Sequence, residues 1–154
     1  VMTAAESHFM VAEAITKGLA SGDAQGHYQT GLRHAMSLWD VSSADIENFI
    51  ATESMALLNG STDQNLEKIA TQRWIALFTN GYEAWAVVRD TGYPTELSAG
   101  VSDDDIFVLG DLNGAYPQRH RYGTGPYNTN AANVEQANSE QGPDVQATKL
   151  WWAK

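Results

Sequence analysis

Apolar residues in the first ninety positions recur at three- and four-residue steps, the period of helices that each bury one face. Thr3 followed by Glu6 fits a capping box. Phe9, Ala12 and Ile15 then keep helical spacing to Lys17-Gly18-Leu19, where Gly18 is expected to close the helix and Leu19 to pack back on it. Asp23 is an N-cap for a second helix in which Tyr28, Leu32, Ala35 and Trp39 share a face, and Gly31 is small enough for a neighbour to approach. Ser42-Ser43-Ala44-Asp45 opens a third helix, which Ile46, Phe49, Ile50, Met55 and Leu58 carry toward Asn59-Gly60 with a break near Thr52. The strongest pattern lies in residues 66–94. Leu66, Ile69, Ala70, Trp74, Leu77 and Phe78 form one wide stripe, Asn80-Gly81 is expected to stop that helix, and residues 82–89 restart another that ends by Thr91-Gly92-Tyr93-Pro94.

The short turn between the first two helices makes them antiparallel, and the hairpin is similar to a tetratricopeptide unit. One such hairpin cannot cover its own apolar face. The expected fold is therefore mainly α: about five helices in tetratricopeptide-like hairpins, packed into an α-helical core over residues 1–94. Phe9, Trp39, Trp74, Leu77, Trp85 and Trp152 are expected to be largely buried. Arg73, Glu83 and Arg89 have the charges to fix the last two helices as an ion-pair network.

After Pro94 the composition changes. Gly, Asn, Ser and Asp dominate residues 95–154, a loop-rich segment expected to pack back on the helices. Ile106-Phe107-Val108-Leu109 has β character, with residues 118–122 as its candidate partner, and residues 130–138 fit a short helix. Leu150-Trp151-Trp152 is too apolar to be left in water and is expected to return to the helices.

Charge and chemistry narrow the possible roles. The chain has 154 residues, 43% of them hydrophobic, and no apolar run reaches the ~20 residues of a membrane span, so one core of a soluble domain is expected. Nine basic against nineteen acidic residues give a formal charge of −10, which repels phosphate backbones and argues against nucleic acid as a partner. With no cysteine, disulfides and thiolate chemistry are absent, and no lipid-acceptor Cys is present, so any export signal is expected outside this chain. No nucleophile elbow, phosphate loop or dinucleotide fingerprint occurs, and no catalytic residue or cofactor is expected.

No metal site is expected either. His27 and His34 sit seven residues apart, ~10.5 Å along a helix axis, and His8 lacks a partner four residues away. Asp103-Asp104-Asp105 and Asp111-Leu112-Asn113-Gly114 do not reproduce the ligand spacing of a calcium loop and are expected to be solvated turns. Tyr93, Tyr116, Tyr122 and Tyr127 lie in turns and loops and are the candidate ligand-binding residues, because sugar rings stack on aromatic faces. Arg121, Asn128 and Asn130 are the candidate partners for sugar hydroxyls.

Several of these features follow one another in a recognisable order. They are Ala12-Glu13-Ala14, the helical hairpin, residues 69–89, Tyr93-Pro94, Tyr116-Pro117-Gln118-Arg119-His120-Arg121-Tyr122, Asn128-Thr129-Asn130-Ala131-Ala132-Asn133-Val134, and Leu150-Trp151-Trp152. The series resembles the C-terminal part of the SusD/RagB family of outer-membrane nutrient-binding lipoproteins. Gly123 departs from the Pro expected after Tyr122, and residues 100–114 make a longer, more acidic loop than usual. The resemblance implies a non-enzymatic cell-surface protein that captures a nutrient, typically an oligosaccharide, and passes it to a TonB-dependent SusC-like transporter. It also implies further chain on the N-terminal side and membrane attachment only through a lipid anchor outside this chain. It carries over no defined sugar-binding residue.

Two further expectations follow from it. The chain alone should bind glycans weakly or not at all, and Phe9, Val11 and Ile15 should present apolar surface to preceding helices. The alternative function is a helical-repeat interaction module whose main partner is the transporter. A glycosidase would need two carboxylates ~5–10 Å apart across a cleft, and spacing alone identifies no such pair.

Overall fold

The computed structural model describes residues 2–101 and 112–153, and among these every regular element is helical. The chain divides into two compact units, Val1–Pro94 and Thr95–Lys154.

The first unit is built from α1 (Ala4–Thr16), α2 (Ala24–Ser37), α3 (Ser43–Thr52), a 3-10 turn at Ser54–Ala56, α4 (Thr62–Ala76) and α5 (Gly81–Thr91). The hydroxyl of Thr3 accepts from the Glu6 N–H at 3.1 Å and starts α1. At the other end Gly18 takes φ 72°, and the N–H groups of Gly18 and Leu19 donate to Ile15 and Ala14 at 2.9 Å each, a Schellman closure. Leu19 does not pack back. It is exposed, because the two backbone bonds close the helix without a hydrophobic contact.

α1 and α2 form the expected hairpin, and its seam explains Gly31. A Cβ at that position would stand 2.7 Å from Cε1 of Phe9, so only glycine admits the ring. Phe9 is fully buried, as expected of a core residue, with its ring centre 5.9 Å from that of Tyr28, so it offers no outward apolar surface, although Val11 on the same helix is exposed. Phe9, Tyr28, Leu32, Ile46, Ile50 and Ile69 make the main core, and Ala70, Leu77 and Val87 a smaller one flanked by Trp74 and Tyr93. The buried Tyr28 hydroxyl donates to the Met55 carbonyl at 2.6 Å, and burial pushes its pKa well up.

α3 breaks at Thr52 as its pattern indicated. A Ser61–Gln64 capping box, legible in the sequence, starts α4. Asn80-Gly81 acts differently from expectation. α4 ends through tightened bonds such as Phe78 N–H to the Ile75 carbonyl (3.1 Å), and the Asn80 side chain caps the start of α5, with Gly81 its first residue. Gly92, at φ 75°, closes α5.

Two core expectations in this unit are corrected. Trp39 is 52% exposed and Phe78 75% exposed; each lies just past the end of its helix, where the rings meet edge to face at 5.7 Å instead of entering the core. Arg73 also finds different partners from those expected: its guanidinium reaches Glu6 at 3.4 Å and Glu13 at 3.7 Å on α1, tying α4 to the hairpin. Arg89 lies 3.8 Å from the centre of the Trp85 ring.

The second unit contains α6 (Thr95–Ser98), α7 (Thr124–Thr129), α8 (Ala131–Gln141) and a 3-10 turn at Trp151–Ala153. α8 is the short helix expected near residues 130–138. Residues 118–122 join no strand ladder; instead the N–H groups of Gln118 and Arg119 both donate to the Gln146 carbonyl, at 2.8 and 3.3 Å. The proposed partner, residues 106–109, lies outside the described residues, as do Asp103-Asp104-Asp105 and Asp111. Trp151 is 85% exposed and Trp152 is exposed as well, against the expected burial of the tail. No described helix is long and apolar enough to cross a membrane.

Candidate functional site

Asp144 organises the second unit. It follows Gly142-Pro143 just past α8 and, in the sequence, reads only as part of a turn. In the structure its side chain is buried beside that of Arg119, and the two form an ion pair at 2.9 Å. The carboxylate also accepts the Tyr122 N–H at 3.1 and 3.2 Å and the Tyr127 hydroxyl at 2.7 Å. Burial works against the charged carboxyl. The Tyr127 hydroxyl, the Tyr122 N–H and the charges of Arg119 and Arg121 outweigh it, and hold the Asp144 pKa below the usual carboxylate value. The same hydrogen bond raises the Tyr127 pKa, against a smaller opposing effect of Asn138.

Two of the tyrosines named from sequence are thus tied to one carboxylate, Tyr122 by its backbone and Tyr127 by its hydroxyl, and both residues stay partly exposed, Tyr122 at 39% and Tyr127 at 43%. The Arg119 guanidinium lies 4.8 Å from the Tyr122 ring centre, and Gln141 donates to the Tyr122 hydroxyl at 2.9 Å. Two partly exposed tyrosines tied to one carboxylate, with hydroxyls and amides nearby, are side chains of the kind that contact sugars.

Arg121, Asn128 and Asn130 are exposed in the same unit. Asn130 is engaged structurally: its N–H donates to Pro126 O at 2.8 Å to close α7, and its side chain accepts from Asn133 at 2.7 Å. Tyr116 is half-buried. Tyr93 belongs to the first unit, where it lines an opening of about 140 Å³ with Glu13, Lys17, Leu66, Ala70, Asp90 and Thr91. Asp144 and Arg119 are what sequence reasoning missed. Arg119 lies within residues 116–122, but nothing in its spacing distinguishes it from Arg121, and Asp144 is twenty-two residues beyond Tyr122.

The histidines also differ from expectation. His27 and His34 are far apart along α2, but His8 on α1 lies across the hairpin from both, with ring centres 5.2 and 5.5 Å away. Among the described residues no group of three or more His, Asp or Glu side chains is placed to hold a metal ion.

A helical-hairpin unit followed by a loop-rich unit with tyrosines gathered on a buried ion pair is the arrangement to be placed among known proteins. Residues 1–122 match the SusD-like family described as starch-binding and associating with the outer membrane, and the chain belongs to that family. Among solved structures, a SusD homologue from Bacteroides fragilis superposes with a TM-score of 0.83 at 26% identity, over 97% of this chain and 34% of that one. One from Bacteroides uniformis gives 0.82 at 29% identity, over 99% and 36%. A chitin-binding SusD homologue from Flavobacterium johnsoniae gives 0.76 at 27% identity, over 100% and 36%. The chain thus spans about a third of the length of these relatives. No curated protein matches it.

Proposed function

We propose that this chain contributes to non-enzymatic capture of an oligosaccharide at the outer-membrane surface, for delivery to a TonB-dependent SusC-like transporter. Membership of a family described as starch-binding and associating with the outer membrane supports the setting. The observation that carries the ligand class is that Tyr122, through its backbone N–H, and Tyr127, through its hydroxyl, are tied to Asp144 while both side chains stay partly exposed. Tyr122 and Tyr127 stack on sugar rings, while Arg121 and Asn128 meet hydroxyls at the rim. Tyr93 in its own small opening, and Tyr116, are secondary contacts. A lipid anchor outside this chain supplies the membrane attachment.

Calorimetric titration of malto- and chito-oligosaccharides tests this reading. The 154-residue chain is expected to bind weakly, on the order of millimolar, since a small exposed platform buries little ligand surface. Tyr122→Ala or Tyr127→Ala should remove that binding. Identical isotherms for wild type and both variants would place the site elsewhere.

The exposed Trp39–Phe78 pair, with Leu38 and Ile75 also exposed, favours a second reading in which the helical unit is an interaction module for the transporter. Transporter pull-down lost in Trp39→Ala, together with no glycan binding at all, would make that the primary role.

A further inference from the structure

The seam of the first hairpin carries chemistry that glycan capture does not use. His8 on α1 and His27 on α2 face each other through their Nδ1 atoms at 3.0 Å. In the metal-free pair only one of these nitrogens carries the shared proton, and the other must present its lone pair to it. The environment favours an uncharged His8 ring. Burial first, then the neighbouring His27 and His34, lowers the His8 pKa below the usual imidazole value. His34 stacks on His8 at an interplanar angle of 20°, which restrains the His8 ring while leaving the Nδ1 pair facing each other.

Two imidazole nitrogens 3.0 Å apart have the separation of adjacent ligands on one transition-metal ion. With bonds of about 2.0–2.1 Å, that gap subtends roughly 90–100° at the ion. The angle suits the right-angled positions of tetragonal Cu²⁺ or Ni²⁺, whereas tetrahedral zinc needs a gap of about 3.3–3.4 Å and a small ring movement. We infer that His8 and His27 form a two-point clamp for a borderline divalent cation, Cu²⁺ or Ni²⁺ ahead of Zn²⁺, with Nδ1 of each ring as the donor. No third His, Asp or Glu among the described residues joins them, so water or an exogenous chelating group fills the remaining positions. The ion sits off the line between the two nitrogens, the ring that carried the shared Nδ1 proton holds a proton on Nε2 instead, and the two bonds link α1 to α2. The clamp is therefore exchangeable, and its occupancy stabilises the hairpin.

Calorimetry on untagged, chelator-stripped protein with Cu²⁺, Ni²⁺ and Zn²⁺ tests the clamp directly. One ion per chain is expected, with Cu²⁺ the tightest. His8→Ala and His27→Ala should each weaken binding at least tenfold, while His120→Ala leaves it unchanged. Because the ion links two helices only in the folded chain, it should raise the Tm of wild type and not that of His8→Ala. Circular dichroism of each variant separates loss of ligand from loss of fold. Wild-type binding weaker than about 1 mM would overturn the proposal. So would binding that survives both His8→Ala and His27→Ala, or that disappears with His120→Ala.

Discussion

Gly31 and Gly18 show how one substitution can fail for two different reasons. At Gly31, inside α2, alanine improves helix propensity by ~1 kcal/mol, but its Cβ would meet the immobile Phe9 ring at 2.7 Å, and overpacking of that kind costs ~1–3 kcal/mol. The clash is expected to win, so Gly31→Ala should lower the urea midpoint, and the double variant Gly31→Ala/Phe9→Leu should recover part of the loss. At Gly18 a Cβ meets nothing within 4 Å, yet φ is 72°, so Gly18→Ala should cost ~1–2 kcal/mol through the backbone alone, whatever its neighbours. Asp144 is the residue on which the second unit turns. Asp144→Ala leaves the Arg119 charge without its carboxylate, though Arg119 keeps its bond to the His120 carbonyl, a loss of about 1–3 kcal/mol. The Asp144 pKa is depressed in the folded chain. Its contribution is therefore complete above the ordinary carboxylate value of ~3.9 and is lost as pH falls through the lower folded value. Stability curves of wild type and Asp144→Asn should converge as the pH falls below the ordinary carboxylate value; curves that keep a constant separation from neutral pH to the acid end would contradict it.

Among elements, α4 joins the two cores of the first unit, since Ile69 belongs to one and Ala70 and Leu77 to the other. Its start depends on Ser61, whose hydroxyl accepts the Gln64 N–H while the Gln64 side chain returns to the Ser61 N–H. Ser61→Ala should cost ~1 kcal/mol, measured by chemical denaturation. Arg73 on the same helix is held by two α1 carboxylates. Replacing Glu6, buried and closer, should weaken the α1–α4 contact more than replacing Glu13, and a double-mutant cycle with Arg73 measures each pairing.

At the scale of the whole molecule, all residues of both core clusters lie within Val1–Pro94. Residues 1–94 expressed alone are therefore expected to keep helical circular dichroism and to unfold cooperatively; a non-cooperative melt would show that this unit depends on the rest of the chain. The intact chain should release no reducing sugar from starch or chitin oligomers, which a sensitive reducing-end assay checks.

Local signals carried the sequence reading a long way. Asp23, Ser42, Gly92 and the break at Thr52 act within a turn or two of where they stand, through backbone bonds that neighbouring residues alone determine. The five helices of residues 1–94, and the family to which they belong, were legible for that reason. Tertiary structure decided what meets what. Whether an apolar ring just past a helix end enters the core or stays outside depends on where the next helix starts, so Trp39 and Phe78 stayed out whereas Phe9, in the middle of α1, is buried. Arg73 chose carboxylates sixty and sixty-seven residues away over those nearby on its own hairpin, and His8 met His27 nineteen residues on. Asp144 drew together Arg119, Tyr122 and Tyr127 from separate turns. Each of these pairings depends on the path of the backbone between distant residues. Periodicity is a one-dimensional signal and cannot carry that path, because it reports which face of a helix is apolar but not what that face will touch.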